Sequence, residues 1–189
     1  MSNRIDLQPA TRRLADLVAA VPDHALTGPT PCARFSVGDL LDHIGGFALA
    51  FTAAAHKTPL DGAPPGDASR LAPDWRRCIP RDLHGLGEAW RDPDAWTGLT
   101  AAGGVDLPGE VAGVVALDEL VLHGWDLAKA TGQPAGYDGP GLEAVHGMVT
   151  HFRAGGFEGI FGPPVDVPED APLFDRILGV AGRDPGWAP

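Results

Sequence analysis

Apolar positions recur along this chain at helical spacing. In "DLQPATRRLADLVAAVP", Leu7, Leu14, Leu17, Val18 and Val21 fall on one side of a first helix, which Pro22 stops. After the turn-rich "TGPTPCARF", Ser36 opens a second helix running to about Lys57, with Asp39 three residues on as a weaker form of the capping box. Leu40, Phe47, Ala50 and Ala54 form its apolar stripe, and His43 lies in that stripe. "IPRDLHGLGEAWRD" predicts a short third helix that buries Leu83, Leu86 and Trp90. The glycine-rich "AWTGLTAAGGVDLPGE" suits a short hairpin around Ala102–Gly104. Pro108 suits the start of a long helix over about 110–131, with Gly132 as its C-cap. "GPGLEAVHGMVTHFRAGG" and "APLFDRILGVAGR" predict two more helices. Four long helices imply a mainly α fold, an antiparallel four-helix bundle with short extra helices and a small hairpin.

Length agrees with that picture: 189 residues suit one domain spanning 1–189. Gly and Pro cluster at 62–66, 134–141, 155–164 and 182–189, and each cluster reads as a loop because periodic segments resume around it. The net charge of −11 argues against a nucleic-acid partner and against an anionic membrane surface. The longest uncharged apolar run, Ile44–His56, is short of a membrane span, and the charged N-terminus has no signal-peptide core, which predicts a cytoplasmic protein. Cys32 and Cys78 are then expected as reduced thiols; neither belongs to a CxxC pair.

The helix over 110–131 changes the question from fold to chemistry. It is apolar nearly all round, which predicts burial, yet Glu119 and His123 stand four residues apart, about 40° on one face. A buried carboxylate must be neutralised, paired or bound to a metal. An ion pair or a hydrogen-bonded core histidine satisfies the same pattern. His84 and Glu88 share the spacing but oppose the Leu83–Leu86–Trp90 face, which predicts a solvated pair with no role. A third ligand would come from another helix, and His43 is the candidate. His56 lies about 220° from His43 on the same helix, His146 and His151 diverge by about 140°, and His24 is in a loop. His146 remains a spare. Two imidazoles, one carboxylate and an open position make a catalytic-type zinc site; the same donors suit Fe(II), Ni or Mn. Asp126 reads equally as a carboxylate orienting His123 or as a surface cap. Asp42 is expected in solvent, Trp125 in the core, and Cys32, with no His at catalytic spacing, as a packed thiol.

"TPCARFSVGDLLDHIGG" (30–46), "ALDELVLHGWDLAKATGQ" (116–133) and "GRDPGW" (182–187) together resemble the mycothiol-dependent maleylpyruvate isomerase group of the DinB-like superfamily, and within it the short actinobacterial metal-binding proteins. The resemblance implies a DinB-like bundle holding a divalent metal, usually zinc, on His43, Glu119 and His123. It implies mycothiol as cosubstrate, with a low-molecular-weight thiol and a small electrophile as partners. Phe35 stands where the group often has Trp. The isomerase has a further C-terminal domain outside the matched stretches, so its isomerisation is not carried over with the ligands. The function implied is a mycothiol-dependent S-transferase or isomerase in which the metal activates the thiol. The rivals are a non-catalytic metal- or thiol-binding protein, a hydrolase with metal-activated water and, last, an iron oxygenase.

Overall fold

The computed structural model describes residues 4–60, 65–155 and 161–189, so the predicted loops at 62–66 and 155–164 lie partly outside the described residues. The helices are α1 (Gln8–Ala19), α2 (Val37–Ala55), α3 (Trp75–Ala89), α4 (Gly109–Ala130), α5 (Leu142–Ala154) and α6 (Leu173–Val180). α3 and α4 each pack against both α1 and α2, which closes a four-helix ring in the order α1, α3, α2, α4. α5 packs on α4, and α6 on α5. The bundle is mainly helical, as expected, and no described helix is long and apolar enough to cross a membrane.

The stripes read from the sequence meet in one core. Leu14 and Val18 of α1, Leu40 and Ile44 of α2, Leu83 and Leu86 of α3, and Leu117 of α4 are wholly buried. α3 begins four residues before the predicted segment, with Pro80 inside it. An interior proline costs about 3 kcal/mol. Trp75 and Ile79 extend the buried face upstream, and their burial at about 2–3 kcal/mol each offsets that cost.

The hairpin is where the glycines put it. Strand β1 (Leu99–Ala102) pairs antiparallel with β2 (Val105–Pro108), and Ala102 faces Val105. Gly103 and Gly104, at φ 60° and 80°, supply the two left-handed positions that a tight two-residue turn demands. Thr100 donates to the Ala54 carbonyl (2.7 Å) and so anchors the hairpin to the end of α2. α4 runs on directly from β2.

Candidate metal centre

α2 begins where its capping box places it. The Asp39 amide donates to Ser36 Oγ (3.2 Å), and the Ser36 amide donates to Asp39 Oδ2 (2.9 Å). The Ser36 hydroxyl also donates to Asp39 Oδ2 (2.6 Å) and is the largest influence holding that carboxyl below its ordinary range, followed by the Ala68 amide and the Ser36 amide. The same carboxylate accepts from Ala68 (2.8 Å), so the segment around Gly66–Arg70 lies over the first turns of α2. Gly66 itself rests against the Asp39 carbonyl and the His43 side chain, leaving no room for a Cβ. Asp42 is not simply solvated, contrary to expectation. It accepts from the Asp67 amide (3.0 Å) and from Arg70 (2.7 Å), because the segment after α2 folds back onto it.

α2 and α4 pack together, and their polar residues meet. His43 Nε2 is 3.2 Å from Glu119 Oε2, and His123 Nε2 is 3.3 Å from the same oxygen. One donor atom from each of His43, Glu119 and His123 lies within 4.8 Å of the others. Histidine–carboxylate contact without a cation satisfies these atoms too, but the donor set is the nitrogen-and-oxygen set that divalent zinc accepts. The other ring nitrogen of His123, Nδ1, donates to Asp126 Oδ2 (2.9 Å), and Arg183 donates to the same oxygen (3.0 Å). Asp126 is completely buried, so it is an orienting carboxylate and not a surface cap.

Burial opposes the charged form of His123, yet hydrogen bonds and charge from Asp126 and Glu119 outweigh it and push the imidazole up to about 10. Desolvation likewise opposes ionised Glu119, while His123 and His43 hold it far below the carboxylate range. Burial also opposes ionised Asp126, and Arg183 foremost keeps it low.

Aromatic rings wall the cluster. Phe35 lies 5.2 Å from His43 and 6.3 Å from His123, centroid to centroid, and Phe47 lies 5.6 Å from His43. Thr30 sets the Phe35 side by donating to the Phe35 carbonyl (2.8 Å). His123 is nearly closed off, at 10% side-chain exposure, whereas His43 (24%) and Glu119 (27%) open to solvent. They open on a groove of about 930 Å³, which runs between α2, α3, the hairpin and α4 and is lined mostly by apolar side chains.

The remaining candidates separate cleanly. His24, His56 and His151 are exposed, and His146 is not among the clustered donors. His84 and Glu88 are exposed but do not pair with each other: His84 meets the Pro80 carbonyl and Glu88 meets Arg91. Trp125 is core. Cys32 is a free, half-buried thiol, as expected, but its Sγ lies within 4.8 Å of donor atoms of His123 and Asp126. Spacing along the chain was the wrong test for it, because the loop after Thr30 brings it across. Two further residues escaped the sequence reading. Arg183 could have been sought as the buried partner that Asp126 required. Asp118 carries no periodic signal of its own. It is 5% exposed, Oδ1 has no partner, and burial foremost, with Glu119, pushes it up to about 8.

The family model for the mycothiol maleylpyruvate isomerase N-terminal domain matches residues 7–128. That span holds α1 to α3, all of α4 but its last two residues, the three clustered donors and Asp126, but not Arg183. Two uncharacterized proteins of Mycobacterium tuberculosis, one from each of two strains, are 26% identical over 186 residues, covering 93% of this chain and 94% of theirs. The crystal structures of the mycothiol-dependent maleylpyruvate isomerase and of a histidine-to-alanine mutant superpose with a TM-score of 0.63 at 19% identity, covering 96% of this chain and 78% of that one. At that identity the likeness is one of fold.

Proposed function

Since this chain belongs to the mycothiol maleylpyruvate isomerase N-terminal domain family, we propose that it holds a divalent cation on His43, Glu119 and His123 and directs a low-molecular-weight thiol, mycothiol, against a small electrophile. The observation that carries this reading is the convergence of those donors at the mouth of a large apolar groove. Zinc suits two imidazoles and a carboxylate first; Ni(II), Fe(II) and Mn(II) follow. A bound divalent cation supplies the charge that turns a thiol into a nucleophilic thiolate at neutral pH.

The chain's own residues do the rest. Asp126 accepts a hydrogen bond from His123 Nδ1, so that a cation displacing the Nε2 proton would meet an Nε2 lone pair already aimed at the cluster. Arg183 keeps Asp126 charged and fixed for that task. Phe35 and Phe47 shield His123 from water. The groove, open at His43 and Glu119, leaves space for thiol and electrophile side by side. Attack at an electrophilic carbon gives S-transfer; addition followed by elimination of the same thiol gives isomerisation.

Elemental analysis of purified protein tests the ligands. About one equivalent of metal is expected in the wild type, with loss of at least tenfold in His43→Ala and in Glu119→Gln. Metal that survives both substitutions overturns the assignment. Incubation with mycothiol and a panel of electrophiles, read by mass spectrometry, tests the chemistry. Tight metal and thiol binding with no conjugate makes the protein a binding module instead.

A further inference from the structure

The groove beside the clustered donors has a charge pattern of its own. Its lining contains Asp42, Asp82, Asp106, Asp118 and Glu119, against Arg70 as the single Lys or Arg among the described lining residues. Arg70 is already committed to Asp42 (2.7 Å) and Asp67 (3.5 Å). A divalent cation on Glu119 would leave the wall acidic. Apart from His43 and Cys78, the rest of the described surface is apolar, with Phe47, Leu71, Trp75, Ile79, Val115 and Met148 among it. Within that wall Asp118 stands out, because its side chain is shut from water and Oδ1 has no hydrogen-bond partner. A buried carboxyl oxygen left unpartnered carries a desolvation cost that a ligand donor removes.

We propose that the groove selects a largely apolar electrophile carrying a protonated amine, which Asp118 receives, and that it rejects carboxylates. This deepens the thiol-transfer reading and rests on it for the ligand's being the reacting partner. The ammonium supplies the donor Asp118 lacks, while the apolar wall takes the body of the molecule. A dicarboxylate such as maleylpyruvate meets like charge on entry and finds no uncommitted guanidinium or ammonium on the described wall. The volume of about 930 Å³ is at the upper end for small-molecule sites and holds a thiol cosubstrate as well.

Aryl vinyl ketones that share one reacting carbon and differ only in a para aminomethyl, methyl or carboxylate group test the proposal. Their saturated, unreactive analogues are titrated into the zinc-loaded full-length protein by calorimetry, and the reactive forms are assayed with mycothiol. The aminomethyl analogue is expected to bind at least about tenfold more tightly than the carboxylate, with methyl between, and the gap narrows as salt rises. Asp118→Asn brings the aminomethyl analogue to the level of the methyl one. Should that variant fail to fold, Asp106→Lys on the exposed hairpin narrows the gap between aminomethyl and carboxylate in its place. Equal or tighter binding of the carboxylate, no binding of any analogue, or an unchanged gap in a folded variant overturns the proposal. The expected order of binding with no conjugation of any reactive form defeats the thiol-transfer reading alone.

Discussion

His123 has a different partner on each ring nitrogen, Glu119 at Nε2 and Asp126 at Nδ1, and the second is what makes the first useful. Asp126→Asn keeps all three clustered donors but removes the charge that orients one of them. Metal affinity is expected to fall about 10- to 100-fold, measured by chelator competition. Arg183→Met strands the buried Asp126 charge, and urea unfolding is expected to show a loss of about 3–5 kcal/mol. Glu119 and His123 were legible because two polar residues four apart on an otherwise apolar helix need a reason. Arg183 was not, because its partner lies 57 residues away and no periodicity crosses a loop. The approach of Cys32 to His123 was hidden for the same cause: proximity across a fold is invisible to spacing.

Among the elements, the ends decide as much as the middles. Ser36→Ala removes the capping box of α2 and is expected to cost about 1 kcal/mol near neutral pH, read by thermal unfolding. That cost depends on pH with a definite sign. Asp39 has its carboxyl lowered in the folded state, so its contribution is whole above the ordinary value of 3.8 and fades as pH falls through the lower folded value. The gap between wild type and Ser36→Ala is therefore expected to shrink in acid; a gap that widens below about pH 4 contradicts the assignment. At the other end of the chain, α6 closes in a Schellman turn: Arg183 donates to the Leu178 carbonyl (2.8 Å) and Gly182 to Gly179 (3.0 Å). Gly182 sits at φ 76°, and a Cβ there would meet the backbone of Gly162. Gly182→Ala is expected to destabilise by about 1–2 kcal/mol in urea titration. The hairpin was legible because Gly103–Gly104 announces its turn. The start of α3 was not, because Pro80 resembles a helix beginning until Trp75 and Ile79 are seen to be buried.

In the whole molecule, α2 and α4 carry the cluster as neighbours in the four-helix ring, with α3 and α1 on either side of them. His43 and Glu119 are 76 residues apart in sequence, and the packing of two apolar stripes brings them to 3.2 Å. Helical period gave the stripes, but it did not say which helices would be neighbours; only the grouping of His43 with Glu119 and His123 pointed to a meeting of α2 and α4. α6 joins the arrangement from outside the ring, since the Schellman turn aims Arg183 at Asp126. If a cation binds at His123 Nε2, its occupancy and the docking of α6 are linked thermodynamically, and linkage runs both ways. A cation that tightens the imidazole should slow amide hydrogen exchange at Ile177 and Leu178, and a change that frays the last helix should hasten escape of the ion. The final turn would thus serve as a remote latch on any cation the histidines held.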